Sequence, residues 1–340
     1  MGLRKILALM ILGLALAPAA ASAEGKFSAL VFGDYYYFIE NNDSSLVDQN
    51  GFWFRRVNLT WDEKFDDEFS GRIRLETASP GNFAPDKQSA MITYVKDAFI
   101  RWSRNQHSVY LGLTTTASHS FTEDYWGYRH LEKIPGELQG FYSSRDMGLG
   151  ATGKFGKRLG YHVMVGNGTG TNNEIDSRKK AAGSLRFFLT EAFVAEVYGD
   201  FEDRADDMDR TTFRGFVGYK AEKLRAGLEY AQQTRDQPNA DSYDLRVVSG
   251  FGCGKVSDRV WLVGRVDRIM DPGASKPGAP YFPMDSAVSS TFVLAGVEFE
   301  ARENITFTPN VEFVAYDEPD GGGPAPDNDI VGRVTFMFKY

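Results

Sequence analysis

Cysteine is almost missing from this chain: Cys253 is the only one in 340 residues, so no intrachain disulfide can form. A basic excess is missing too. Lysine and arginine number 38 against 46 aspartates and glutamates, a formal charge of −8. That balance argues against nucleic acid as a partner, because phosphate binding draws on a basic surface. Long apolar runs are confined to one stretch near the N-terminus, Ile6 to about Leu16, too short for a comfortable membrane span. Apolar residues recurring at helical spacing are nearly absent.

The N-terminus carries the first positive signal. Arg4 and Lys5 precede the apolar stretch, and small residues ending Ala21-Ser22-Ala23 follow it. This is the layout of a secretory signal peptide with an A-x-A cleavage site, so residues 1–23 are expected to be removed, leaving a chain that starts at Glu24. Cleavage takes away two basic residues and no acids, moving the charge from 38 − 46 = −8 to 36 − 46 = −10. An exported fold without disulfides must be held some other way. Phenylalanine (26), tyrosine (16) and glycine (35) are abundant. That composition suits a transmembrane β-barrel, whose strands are only half apolar; a secreted β-sandwich is the competing reading.

Alternation with a period of two runs through the chain. In FSGRIRLET, Phe69, Ile73 and Leu75 share one face and Arg72, Arg74 and Glu76 the other. In LGYHVMVGNG, Tyr161, Val163 and Val165 oppose His162 and Met164. In VGRVTFMFKY, Val334, Phe336, Phe338 and Tyr340 oppose Arg333 and Thr335. Sixteen strands can be placed, near 27–39, 51–62, 68–77, 93–102, 107–117, 146–155, 159–167, 180–190, 192–201, 211–220, 223–231, 241–252, 258–268, 288–300, 304–316 and 330–340. Their links alternate. NNDSSLVDQN, GTGTNNEIDSRK, QQTRDQPNA and DEPDGGGPAPDND are long, whereas SRNQ, GKR, AEK and AREN are short.

Short turns at one rim, long loops at the other and an even strand number are the layout of outer-membrane barrels. A sandwich gives no reason for it. The expectation is one all-β domain over 24–340, an antiparallel barrel of about sixteen strands in the bacterial outer membrane. Its last strand must pair with its first, since lipid tolerates no open edge. Tyr340 is then expected at the periplasmic interface, as a terminal aromatic resembling the signal read by the barrel-assembly machinery.

A barrel of this size encloses water. The residues expected to face it are Arg56, Arg72, Arg74, Glu76, Lys154, Arg186, Glu196, Asp200, Arg214, Arg225, Glu229, Arg246, Arg265, Glu298, Glu312 and Arg333. Arg333, Arg56, Arg72 and Arg74 are expected to form a basic strip that favours anions. The longest connection, residues 118–145, is aromatic-rich and too long to hang freely in solvent. A short helix is expected in it, from near Thr122 to before Pro135. The loop is expected to fold inward and narrow the channel with Glu123, Asp124, Arg129, His130, Glu132 and Lys133.

The segments VKDAFIRW, HSVYLGLTTT, DYWGYRHLEK, SRDMGLGATGKF and LGYHVMVGNGTG, spanning roughly 93–170, resemble bacterial porins of the phosphate-selective porin O/P type. In that family a strand pair precedes an inserted loop, and a Gly-rich strand with a Tyr-x-Val-x-x-x-Asn-Gly end follows it. The resemblance implies a trimeric, sixteen-stranded channel with an inserted third loop. The anion-binding lysines and arginines of the specialised phosphate channels do not map onto a clear motif here.

On this reading the chain is a passive porin for small hydrophilic solutes or inorganic anions, seated in lipid and lipopolysaccharide, with no cofactor and no metal. A phosphate-specific channel is the alternative within that class. An enzyme is the rival outside it. Ser118-His119-Ser120 suggests a nucleophile beside a base, but no orienting group can be assigned to them. Adhesion is a third class, resting on acidic loops such as EDRADDMD and DEPDGGGPAPDND. These would hold Ca²⁺ or Mg²⁺ with lipopolysaccharide phosphates, although the second lacks the closing Glu of an EF-hand.

Overall fold

The computed structural model describes residues 25–78, 90–273 and 284–340. The expected signal peptide, residues 1–23, and most of the expected connections SPGNFAPDKQSA and MDPGASKPGAPYFPMD lie outside these residues. Alternating sequence becomes sixteen strands: β1 (Lys26–Glu40), β2 (Asn50–Lys64), β3 (Phe69–Ala78), β4 (Ile92–Arg104), β5 (His107–Thr115), β6 (Arg145–Phe155), β7 (Leu159–Gly166) and β8 (Lys180–Phe188). The second half is β9 (Phe193–Glu202), β10 (Arg210–Lys220), β11 (Leu224–Gln237), β12 (Ala240–Ser257), β13 (Val260–Ile269), β14 (Ser290–Arg302), β15 (Ile305–Tyr316) and β16 (Asp329–Lys339). Each pairs antiparallel with its sequence neighbours, and β16 returns to β1, closing a barrel.

Closure satisfies the edge groups that lipid would leave without partners. The seam runs past the last strand residue: Ala29 N–H donates to Tyr340 O at 3.0 Å, and Tyr340 N–H donates to Ala29 O at 2.9 Å. The Tyr340 ring lies near Phe27, with centroids 6.4 Å apart. Deleting Tyr340 removes both bonds and the aromatic contact. The expected result is a lower yield of heat-modifiable, folded barrel in the outer membrane; wild-type assembly of the truncated chain would refute the role given to this residue.

The outer face is apolar. Leu111, Leu149, Val165, Val217 and Leu228 all point outward and are exposed on the isolated chain, a belt that water would penalise and lipid covers. The inner face is divided. Where β1 and β9 to β16 curve round, it is filled by the long loop between β5 and β6. Trp126, Tyr128, Leu131, Ile134 and Phe141 of that loop pack with Phe38, Leu245, Val263, Phe292 and Val331 of the wall.

Three details depart from the sequence reading. QQTRDQPNA is not a loop: β11 and β12 pair up to Gln237↔Ala240, and the chain turns at Pro238-Asn239, with Asn239 at φ +60°. The inward loop carries a helix at Ser120–Trp126, not one reaching towards Pro135. Gly127, at φ +72°, ends it by the left-handed cap that a side chain would strain. A second turn of helix then starts at Pro135, whose fixed φ suits the first helical position.

Candidate constriction of the barrel lumen

The loop is seated by side chains from the wall that grip its backbone. Arg55 donates to the carbonyls of His130 (3.1 Å) and Leu131, Arg214 to that of Ser118, and Arg265 to that of Lys133. Gln233 donates to Phe141 O at 2.6 Å and Lys220 to Asp124 O at 3.1 Å. The guanidinium groups that do this are buried beside carboxylates: Arg55 on Asp34, Arg214 on Glu196 and Arg265 on Asp267. Buried charge is expensive unless paired and hydrogen-bonded, and the loop's carbonyls add acceptors to each guanidinium beyond its carboxylate.

The loop leaves one side of the lumen open. A cavity of about 400 Å³ remains there, lined by Arg72 and Arg74 of β3, Asp97 and Arg101 of β4, Arg145 of β6, Arg186 of β8, and Glu123 and Asp124 of the loop helix. Among the described residues, five arginines and three carboxylates line this side, and two of the arginines are paired with carboxylates outside the lining, Arg72 with Asp62 and Arg186 with Glu196. Asp97 is shared by Arg74 (3.2 Å) and Arg145 (2.5 Å), while Arg186 pairs with Glu196 at 2.9 Å. Arg101 donates to Ser70 Oγ at 3.3 Å and is exposed.

On the loop side, His119, Arg129, Glu123 and Glu137 form a cluster. His119 Nε2 lies 2.5 Å from Glu123 Oε2 and 3.2 Å from Glu137 Oε2. Arg129 Nη2 lies 2.9 Å from Glu137 Oε1. Burial disfavours charge on His119, but the two glutamates outweigh it and raise the imidazole pKa. Burial likewise works against ionised Glu123, yet His119 and Arg129 hold it down at about 2. Asp124 is raised, because burial outweighs the nearby Lys220. Lys133 is lowered by desolvation to about 7.

Of the six loop residues named from sequence, Glu123 and Asp124 line the cavity. His130 turns to Glu298 at 3.3 Å, Glu132 accepts from Lys133 N–H at 2.7 Å, and both are buried in the loop's seat, with Lys133 half-buried beside them. On the wall, Arg72, Arg74 and Arg186 reach the cavity. Arg56 is taken up by Glu76 at 3.1 Å, and Glu76 also receives Lys96. Arg225 lies over the Trp261 ring, 5.4 Å from its centroid. Arg214 and Arg265 are under the loop.

Two expectations are overturned. The strip of Arg333, Arg56, Arg72 and Arg74 does not form, because the loop covers Arg333, which is 4% exposed and bound to Glu312 at 2.8 Å. The basic row instead follows β3, β4, β6 and β8. Arg246 is on the outer face, not the wall. Its neighbours Leu245 and Val247 point inward against the loop's core, and Arg246 pairs with Asp271 at 2.6 Å. Polar-inward parity fails where the inner face is itself apolar.

Sequence reasoning also missed residues. Arg55 and Lys96 sit at β-bulges, where the β1–β2 register jumps from Arg56 to Phe54 and the β3–β4 register from Asp97 to Val95. An extra residue lets Arg55 and Arg56, and Lys96 and Asp97, turn inward together. Adjacent charges within an alternating strand were the available signal. Ser118 and His119 go to different partners, Ser118 Oγ to Thr116 Oγ1 at 2.9 Å and His119 to the glutamates.

No protein-family model matches the chain, and no curated protein does. Solved structures match over nearly their whole length. The outer-membrane expressed OmpT of Vibrio cholerae superposes with a TM-score of 0.65 at 12% identity, covering 95% of this chain and 99% of that one. The anion-selective porin from Comamonas acidovorans gives 0.66 at 10% identity, covering 94% and 100%. The outer-membrane channel DcaP of Acinetobacter baumannii gives 0.65 at 13%, covering 95% and 99%. At such identities the likeness is one of fold. This chain's closed sixteen-stranded barrel with an apolar outer belt, and its likeness in fold to structures described as outer-membrane proteins, place it in the bacterial outer membrane.

Proposed function

We propose that the chain forms a water-filled channel for passive diffusion of small hydrophilic solutes across the outer membrane, with a preference for anions. The observation that carries this is the set of five arginines lining the open side of the lumen, against three carboxylates in the same lining. Fixed positive charge at a narrow point concentrates anions and repels cations. A homotrimer is the natural assembly, in keeping with the trimer form described for the OmpT of Vibrio cholerae.

Single channels in a planar bilayer under a potassium chloride gradient test the reading. The expected reversal potential has the sign of chloride selectivity, and it moves towards zero when Arg72 and Arg101 are both replaced by glutamine. Cation selectivity in the wild type sinks the anion preference, and absence of conductance sinks the channel. The narrower reading, a phosphate channel, requires millimolar phosphate to suppress the chloride current; unchanged current leaves a general anion-preferring pore.

A further inference from the structure

We propose that His119, Glu123 and Glu137 form a binding site for one divalent transition-metal ion, of the zinc or cobalt type, on the loop side of the constriction. The three ligand atoms come from separate places. His119 and Glu123 are one helical turn apart, at the start of the Ser120–Trp126 helix, so their side chains share a face. Glu137 comes from the second short helix, Pro135–Leu138, which the loop folds back on the first. One nitrogen and two oxygens lie within 4.8 Å of one another.

His119 lies close to Glu123 and Glu137 as an ion pair, but these contacts are not aligned as hydrogen bonds, while Glu137 Oε1 accepts from Arg129. His119 is 4% exposed, and neither of its ring nitrogens makes a hydrogen bond of proper angle. Glu123 Oε2 and Glu137 Oε2, the oxygens facing Nε2, are also without one. Buried polar atoms are normally satisfied, so a convergence of three such atoms needs an explanation. A cation at their centre supplies it. Arg129 does not fill that position: its Nη2 is on Glu137 Oε1, the oxygen turned away from His119. There it fixes the carboxylate's orientation, as outer partners of metal ligands do. Its Nε, 3.4 Å from Glu123 Oε2, is the contact the ion displaces.

Ligand type and number select the ion. An imidazole with two carboxylates suits zinc, cobalt, nickel or copper, whereas calcium takes six to eight oxygens and magnesium keeps most of its water. Three protein ligands leave a fourth position for water. His119 and Glu123 line the open cavity, so the ion enters from the lumen and remains there. Since only a neutral imidazole ligates a metal, binding puts a doubly charged ion in the cavity in exchange for the proton His119 shares with the glutamates.

The test has a binding arm and an electrical arm, only the second of which rests on the channel reading. Untagged, detergent-purified protein is dialysed against zinc and its metal content measured; cobalt is then titrated for the visible absorption of a tetrahedral ion. One equivalent per chain is expected, with at least about tenfold weaker binding in His119→Ala and Glu137→Gln. His107→Ala, away from the cluster, binds as wild type, and heat-modifiable mobility verifies that every variant is folded. Zinc uptake that is absent, or equal in wild type and both variants, overturns the site. In bilayers, micromolar zinc is expected to move the wild-type reversal potential further towards chloride selectivity and to leave that of His119→Ala unchanged. Stoichiometric binding with an unchanged reversal potential would overturn the placement in the conducting path.

Discussion

Replacing Arg214 with methionine is expected to unseat the long loop: single-channel conductance rises, its traces become noisy, and the folded barrel loses about 3–5 kcal/mol of stability. Methionine keeps much of the stem's volume and discards the fork. Arg214 is fully buried and serves three groups at once, the Ser118 carbonyl, the Tyr142 hydroxyl at 3.2 Å and the Glu196 carboxylate. Its loss strips the loop's first anchor and leaves buried Glu196 with Arg186 at 2.9 Å as its one ionic partner, beside a long bond of 3.4 Å from the Thr122 hydroxyl. Arg72→Met is the matched comparison. Arg72 faces the lumen and pairs with Asp62, which is itself partly exposed, so stability should fall by no more than about 1 kcal/mol while selectivity changes. Urea unfolding in lipid vesicles measures the first quantity and bilayer recording the second. Equal stability losses in the two variants, with quiet traces in both, would show that Arg214 does not hold the loop.

A second large effect is expected from two residues of β6. Leu149 is 55% exposed on the outer face in the middle of the strand, and Thr152 lines the lumen. Leu149→Arg forces a guanidinium into lipid, at about 2–4 kcal/mol near the midplane. The barrel should refold poorly into vesicles. Thr152→Arg turns the same group into water and gives up one bond, from Oγ1 to the Tyr161 carbonyl at 3.0 Å, worth about 1 kcal/mol. It should fold well and strengthen anion selectivity. If both variants refold alike, the assignment of faces in β6 is wrong.

The contrast shows why the strands were legible in sequence. Lipid on one side imposes a period of two that turns and loops merely interrupt, so sixteen strands and the faces of most of them follow from apolar spacing. The exceptions have local causes. At Arg55 and Lys96 a bulge inserts a residue without disturbing the outer belt, so hydrophobic spacing gives no register for it. At Arg246 the inner face is apolar because a loop distant in sequence covers it, and a single strand carries no record of that cover.

The site was less legible than the barrel. That the 118–145 loop folds inward could be argued from its length and aromatic content, and Glu123 and Asp124 do reach the cavity. Arg101, Arg145 and Asp97 meet them only through barrel curvature. His119 and Glu137 meet only because Gly127 ends one helix and Pro135 starts another. Neither pairing has a spacing rule.

The wall holds the loop chiefly by its main chain. Arg55, Arg214, Arg265, Gln233 and Lys220 all bind carbonyl oxygens, a group that every amino acid supplies. Substitutions at Glu123 or Asp124 therefore leave those five attachments in place. Position and selectivity are separable properties of this protein: one scaffold can accept a succession of different filters, each inherited by point mutation, without relearning where to put them.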